Sequence, residues 1–121
     1  MDSKKEEVSR APGTTSMAPG VLVTLAKLTA LSVPGVVDMA PLPGGVNRLF
    51  RRGVAEGVRI EVDGSAVSID LYLILKHDTN VRNVSRKVQA EVVRAIEEMI
   101  GMQVSRVDVH IEDIDYRDAE V

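Results

Sequence analysis

The feature that most constrains the fold is the segment Val67–Leu75, in which apolar and polar side chains alternate almost without interruption. Successive side chains of a β-strand point to opposite faces, so this period predicts a strand that is buried on one face only. Its odd-numbered residues are all apolar and should face a core. The residues that should point the other way are Ser68, Asp70, Tyr72 and the apolar exception Ile74.

A second alternating segment lies just upstream and has its apolar residues at Val58, Ile60 and Val62. The pair Asp63-Gly64 stands between the two segments, and Asp-Gly is a favoured pair in the two-residue turns of β-hairpins. We therefore predict an antiparallel hairpin that turns at Asp63-Gly64.

A helix is predicted upstream of this hairpin. It should begin near Pro19, because proline suits the first turn of a helix. It should end at Pro34-Gly35, because proline disfavours the α conformation in the residue before it. The residues that fall at helical spacing are Val21, Leu22, Leu25, Ala26, Leu28 and Thr29.

A second helix is predicted after the hairpin. Thr79 or Asn80 can cap its start, and Gly101 can cap its end. Apolar residues recur between these signals at steps of three and four, which indicates one buried stripe. The residues of this predicted stripe are Val81, Val84, Val88, Val92, Ala95, Ile96 and Met99.

Two further strands complete the order of elements. Val36–Met39 is predicted as a short strand and residues 105–111 as the last one, followed by an acidic end that we interpret as solubilising. The order helix, short strand, hairpin, helix, strand favours an α+β fold with two layers. We predict a three- to four-stranded, largely antiparallel sheet with two helices packed on one face.

The length of 121 residues suits a single domain. Residues 1–17 are predicted to be a disordered N-terminal tail, residues 18–116 the domain, and residues 117–121 an acidic C-terminal end. The N-terminus is charged, and no apolar segment approaches the ~20 residues needed to span a bilayer. The sequence therefore predicts a cytoplasmic protein without direct membrane insertion.

The chemistry of the side chains argues against an enzyme. The chain has no cysteine, which excludes thiolate chemistry and cysteine-based zinc sites. His77 and His110 lack the spacing of a helical metal site. His110 and Glu112 should share a strand face, where weak metal binding is conceivable but a solvated surface is favoured. No phosphate-binding loop or nucleophile elbow occurs. We therefore predict no enzymatic activity, no metal and no cofactor.

Two sets of residues are candidates for binding a partner. Arg48, Arg51 and Arg52 surround Phe50, the only phenylalanine, in a loop rich in proline and glycine. This cluster could meet phosphate, an anionic lipid or an acidic protein surface, and the alternative is a solvated loop with Phe50 tucked into the domain. On the uncovered sheet face, Tyr72 and Ile74 could instead meet a second copy of the chain.

Five segments, taken together in order and spacing, are similar to a known family. They resemble the alkaline shock protein family, also called the Gls-type envelope stress response family, of Gram-positive and related bacteria. The resemblance covers roughly residues 18–116. Lys76-His77-Asp78 and Ile100 depart from residues that are common in the family. The matching segments are Val33-Pro34-Gly35-Val36, Gly57–Leu71, Val84–Val92, Ile96–Met102 and Val104–Ile114.

The resemblance implies a small cytoplasmic α+β protein without catalytic residues. Some members of that family self-assemble and are held at the cytoplasmic face of the membrane by a small membrane-anchored relative. They are associated with alkaline or cell-wall stress, and others with fatty-acid synthesis. By resemblance, we expect a homo-oligomer or an assembly with family paralogues, peripheral at the inner face of the cell membrane.

The function hypothesis is thus a non-enzymatic scaffold in the cell-envelope stress response. The alternative is a small RNA-binding or regulatory module, for example of lipid metabolism. An aromatic content of 2% and a net charge of −3 disfavour nucleic-acid binding, because stacking on bases and contacts to phosphates would have little material.

Overall fold

The structure, a computed structural model, describes residues 17–42, 54–55 and 57–117. The predicted tail and acidic end lie almost entirely outside these ranges and stay predictions. The helices are α1 (Pro19–Leu31) and α2 (Val81–Ala95), the latter continued by a π-helical turn at Ile96–Ile100. The strands are β1 (Val36–Met39), β2 (Val54–Ala55), β3 (Val58–Asp63), β4 (Ala66–Lys76) and β5 (Gln103–Asp115).

Strand β4 is the centre of the sheet and is paired along both edges. Along one edge of β4, the residues from Ala66 to Leu71 pair antiparallel with β3, and those from Leu73 to Leu75 pair antiparallel with β1. Strands β3 and β1 therefore lie end to end along this edge. On the other edge β5 runs parallel to β4 from Ala66 to Lys76. The parallel pairing follows from the connection, because α2 carries the chain from the end of β4 back to its beginning.

The predicted α+β class with a largely antiparallel sheet is confirmed, and within the described residues the sheet has five strands when the two-residue β2 is counted. Both helices pack on the same face of β4. Its odd-numbered residues from Val67 to Leu75 are at most 1% exposed, as the alternation predicted. The helix residues that join them in the core are Leu22, Val23, Ala26 and Ala30 of α1, Val84, Val88 and Val92 of α2, and Ile96 of the π-helical turn.

The hairpin turn is one residue later than predicted. Asp63 pairs with Ala66, so the two turn residues are Gly64 and Ser65 instead of Asp63-Gly64. Gly64 has φ +65°, the left-handed conformation that short hairpin turns need and that glycine adopts at least cost. Val62 belongs to the alternating segment but is not buried with Val58 and Ile60. It is 51% exposed beside this turn, on the outer strand of the hairpin.

Helix α2 begins and ends as its capping residues predicted. The backbone N–H of Asn83 donates to the Asn80 side chain at 2.9 Å, and Gly101 adopts φ +83° at the other end. The placement of Val81 and Met99 in the buried stripe is wrong, since they are 43% and 70% exposed. Val81 stands at the first residue of the helix, and the π-helical turn rotates Met99 away from the α-helical stripe.

Helix α1 spans the predicted region, but the residues that fall at helical spacing differ in burial. Val21 and Leu28 are 46% and 59% exposed, whereas Leu22 and Ala26 are buried. The helix is apolar almost all round, so spacing could not distinguish its core side from its outer side.

Strand β5 is longer than the predicted 105–111. It continues to Asp115, which pairs with Lys76, so residues 112–115 belong to the sheet and not to an acidic tail. Register shifts at Val67/Ser68 and Leu73/Ile74 leave Ser105 and Glu112 as extra residues on β5. These irregularities hide the alternation from which strand length is read.

Substitution of Gly57 by alanine should strongly destabilise the fold. Gly57 has φ +82°, and an added Cβ would lie 2.4 Å from the backbone oxygen of Ala40 and 2.9 Å from that of Tyr72. Neither oxygen can retreat freely, because Ala40 N–H donates to Tyr72 O and Tyr72 N–H donates to Gly57 O. We expect a loss of roughly 3 kcal/mol or more in the free energy of unfolding, measured by urea denaturation.

The matched control is Gly64→Ala. Gly64 has a similar φ, but nothing lies within 4 Å of its added Cβ. It should lose only about 1 kcal/mol from the left-handed conformation. Equal losses in the two variants would show that the close approach at Gly57 has no energetic weight.

Candidate functional site

The face of the sheet opposite the helices, here called the open face, carries a cluster of ionisable side chains around Asp70. The Asp70 carboxylate is 16% exposed. Three donors approach it from the neighbouring strands: Arg59 Nε at 3.7 Å, Arg106 Nη2 at 3.8 Å and His110 Nε2 at 3.1 Å. Arg106 Nε also donates to Asp108 at 2.6 Å. These residues, together with Tyr72, are called the Asp70 cluster.

Sheet register explains why these side chains meet. Arg59 on β3 and Asp108 on β5 stand directly opposite Asp70 on β4. Residues opposite one another on adjacent strands share a face, and the opposite charges of Arg59 and Asp70 stabilise the pairing of β3 with β4. Asp108 carries the same charge as Asp70, and Arg106, at 2.6 Å from Asp108 and 3.8 Å from Asp70, offsets their repulsion. The sequence had placed Asp70 on this face but had not singled it out as a site, because strand partners that are distant in sequence carry no local signal.

Tyr72 lies on the open face, as predicted. Its ring stacks on that of His110 with centroids 4.5 Å apart and planes inclined by 12°. Arg59 Nη2 donates to the Tyr72 hydroxyl at 3.3 Å. These neighbours leave Tyr72 only 6% exposed, so an approaching partner would meet the edge of His110 before it met Tyr72. A contact between Tyr72 and a second copy stays a prediction.

Ile74, the other residue predicted to bind a second copy, is half-buried. It lines a shallow depression of about 250 Å³ at the end of the open face. The described residues around it are Val37, Asp38, Asp113, Ile114, Asp115, Tyr116 and Arg117. Its role in binding likewise stays a prediction.

Asp115 is fixed at the rim of that depression by Arg117. The guanidinium donates from Nε and Nη2 at 2.9 and 2.7 Å, and the backbone N–H donates at 3.0 Å. Side-chain and then backbone hydrogen bonds from Arg117 lower the pKa of Asp115 to about 2 from an ordinary 3.8, with a smaller contribution from His77. Asp115 is therefore a charged, hydrogen-bonded acceptor over the physiological range.

A row of apolar side chains on the outer side of α1 is exposed to solvent. Met17, Val21 and Leu28, 37%, 46% and 59% exposed, follow one another at steps of four and seven. We call them the α1 stripe. The sequence placed Val21 and Leu28 at helical spacing without assigning them to a face, so this surface was missed.

The remaining predicted residues, Arg48, Phe50, Arg51 and Arg52, lie outside the described residues. Within the described ranges, no group of three or more histidine, aspartate or glutamate side chains is arranged to hold a metal ion. None of the described helices is long and apolar enough to cross a membrane.

Asp70→Asn should lower the free energy of unfolding by about 1–3 kcal/mol, measured by urea denaturation. His110 would lose a charged hydrogen-bond acceptor that is mostly shielded from water, and Arg59 and Arg106, at 3.7 and 3.8 Å, would lose the nearby negative charge. Asp108→Asn is the control. Its carboxylate is 45% exposed, and it should cost about 1 kcal/mol at most. A larger effect at Asp108 than at Asp70 would contradict the central position of Asp70.

Arg117→Ala should return the pKa of Asp115 from about 2 towards its ordinary 3.8. Because folding depresses this pKa, the contact stabilises the chain above about pH 4, and that contribution is lost as pH falls towards 2. The variant should lack this acid-linked loss. Carboxyl-carbon NMR titration measures the shift, and Arg94→Ala, at a distant ion pair with Glu91, should leave the pKa of Asp115 unchanged.

Solved structures share the fold of this chain at low identity. A MamM CTD structure superposes with a TM-score of 0.51 and 14% identity, over 79% of this chain and 95% of its own. This likeness concerns the fold alone.

Curated relatives cover most of the chain. The uncharacterized proteins YloU and YqhY of Bacillus subtilis are each 24% identical over 106 residues, covering 84% and 86% of this chain and 88% and 78% of their own. The uncharacterized protein Spy1614 of Streptococcus pyogenes is 23% identical over 112 residues, or 89% of this chain and 93% of its own. A family model matches residues 7–116. The chain therefore belongs to the alkaline shock protein 23 family, which has a cell envelope-related function.

Proposed function

We propose that this chain is a non-enzymatic interaction protein of the cell-envelope stress response. In this proposal it is cytoplasmic, associates with copies of itself, and is held at the inner face of the membrane by a membrane-anchored partner. The observation that carries the proposal is the family match over residues 7–116, with its cell envelope-related function.

The α1 stripe supports the binding of a protein partner. Apolar side chains that stay exposed in one row on a helix gain free energy when a second surface covers them. Val21 and Leu28 are the most exposed members of the row. We assign this surface to the membrane-anchored partner, whose contacting segment would be an apolar or amphipathic helix that packs along α1.

The Asp70 cluster supports the non-enzymatic part of the proposal. Its charges face one another: Asp70 accepts from His110 and attracts Arg59 and Arg106. A general acid or base needs a proton-donating or proton-accepting atom aimed at a substrate within hydrogen-bond reach. Here the carboxylate is turned to its own strand neighbours, so the cluster serves to hold β3, β4 and β5 together.

The same geometry favours a protein partner over nucleic acid. Arg59 and Arg106 both approach Asp70, and Arg106 also binds Asp108, so their charge is largely compensated within the sheet. Phosphate binding requires cations that can replace the counterions of the backbone. The basic cluster at Arg48, Arg51 and Arg52 lies outside the described residues, and its role as a contact surface stays a prediction.

Capture of the tagged full chain from its host cells after mild crosslinking tests the proposal. A small membrane-anchored protein, together with family relatives, should be recovered, and the chain should sediment with the membrane fraction. The variant Val21→Ser with Leu28→Ser should lose that partner, because the apolar row is removed.

The control variant is Lys87→Ser, an exposed position on α2 and away from the α1 stripe. It should retain the partner, and all variants should melt within a few degrees of the unmodified chain. Recovery of ribonucleoprotein or of a metabolic enzyme complex, without a membrane protein, would contradict the envelope proposal.

A further inference from the structure

The outer edge of β5 is an unpaired strand edge in the described part of the chain. Gln89 Nε2 donates to the carbonyl of Val107 at 3.0 Å, and the N–H of Val104 donates to Glu97 at 3.4 Å. Both partners belong to the α2 segment and its π-helical turn, so these backbone groups point away from β4.

Backbone groups along a strand alternate in direction with a period of two residues. The N–H and C=O groups of Val109 and Ile111 must therefore point outward like the carbonyl of Val107. Among the described residues, no strand and no side chain hydrogen-bonds these outward groups. Gln89 and Glu97 thus hydrogen-bond the outward backbone groups near the start of β5, and those of Val109 and Ile111 have no partner among the described residues.

An exposed strand edge is a template for adding another strand. The sequence of β5 suits one particular strand, which is β5 itself. When β5 is laid antiparallel on a second β5 with Val109 opposite Val109, each side chain meets one of matching chemistry. The facing pairs within the regular segment are Val107 with Ile111 and Asp108 with His110.

We propose that a second copy of this chain covers this edge, by antiparallel β5–β5 pairing about a two-fold axis at Val109. The inference rests on the self-association in the proposed function and adds to it the surface and the register. Pairs of β-branched residues directly across two strands stabilise their pairing, and a carboxylate such as Asp108 can accept a hydrogen bond from an imidazole N–H on the facing strand.

The backbone geometry agrees with this register. The residues whose groups point outward, at positions 107, 109 and 111, are those that would form the hydrogen-bonded pairs of the new ladder. No register shift falls between Val107 and Ile111, so this segment is regular. The carbonyl of Val107 has a second lone pair and can accept from the new strand while Gln89 remains bound.

The pairing leaves the other proposed surface free. Helix α1 packs over β1 and β3, and α2 packs over β5, so the β5 edge lies on the opposite side of β4 from α1. A pair of chains joined at β5 would form one continuous sheet and carry an α1 stripe at each end. Such a pair could engage two membrane-anchored partners at once.

Val109→Pro tests the pairing. Proline removes only the N–H that points away from β4, and proline is tolerated on edge strands, so the monomer should stay folded. Sedimentation of the full chain should show a concentration-dependent dimer. In Val109→Pro the dissociation constant should rise at least about tenfold, because the dimer loses two hydrogen bonds. Val109→Thr keeps the N–H and the branched Cβ and should dimerise like the unmodified chain.

A cysteine at the axis tests the register. The chain has no cysteine, so a single introduced thiol can only link two copies. In the proposed register the two Cα atoms at position 109 lie about 5.5 Å apart, within the span of a disulfide. Val109→Cys should form a covalent dimer under mild oxidation. Ser105→Cys, which is exposed and more than about 20 Å from its counterpart, should not.

The outcomes separate this inference from the proposed function. Self-association that is unchanged in Val109→Pro, without crosslinking of Val109→Cys, would overturn the β5 pairing and leave self-association standing. Loss of a captured partner in Val109→Pro, with the dimer intact, would show that the partner and not a second copy occupies the edge. A strict monomer at ~100 μM would contradict both.

Discussion

Strand β4 is hydrogen-bonded along both edges and buried on one face, and the other elements take their places from it. Its odd-numbered side chains are almost fully enclosed beneath the two helices. A one-residue slip in its pairing would carry that apolar set to the open face, so the burial also fixes the register of β3, β1 and β5. The helices are arranged as they are because they must cover this one strand face.

The register of β4 also creates the Asp70 cluster. Once Arg59 and Asp108 are set opposite Asp70, the charges on three strands lie within reach of one another. Arg59 and Arg106 offset the negative charge of Asp70 on this face of the sheet. The two interaction surfaces that we propose lie elsewhere, on the outer side of α1 and along the edge of β5.

Several elements could be predicted because a single local pattern specified each of them. Val36–Met39, the alternating segment in β4 and the caps of α2 at Asn80 and Gly101 were all recovered. The errors fall where two patterns compete. The π-helical turn displaced Met99, the irregular pairing hid the full length of β5, and α1 offered apolar residues on every side. The turn at Gly64-Ser65 was missed because the positive φ of one glycine suits either placement.

By itself, the sequence determined the α+β class, the buried face of β4 and the family to which the chain is similar. The spacing of apolar residues and the proline, glycine and capping residues at the ends of elements are local properties. The tertiary structure alone decided which charges meet at Asp70, which side of α1 stays exposed and, among the residues that the structure describes, which edge of β5 has no partner strand. These features depend on contacts between residues far apart in the chain, and on which of several apolar surfaces finds a partner within the same molecule. Burial and strand pairing are collective, so no local pattern encodes what they leave uncovered.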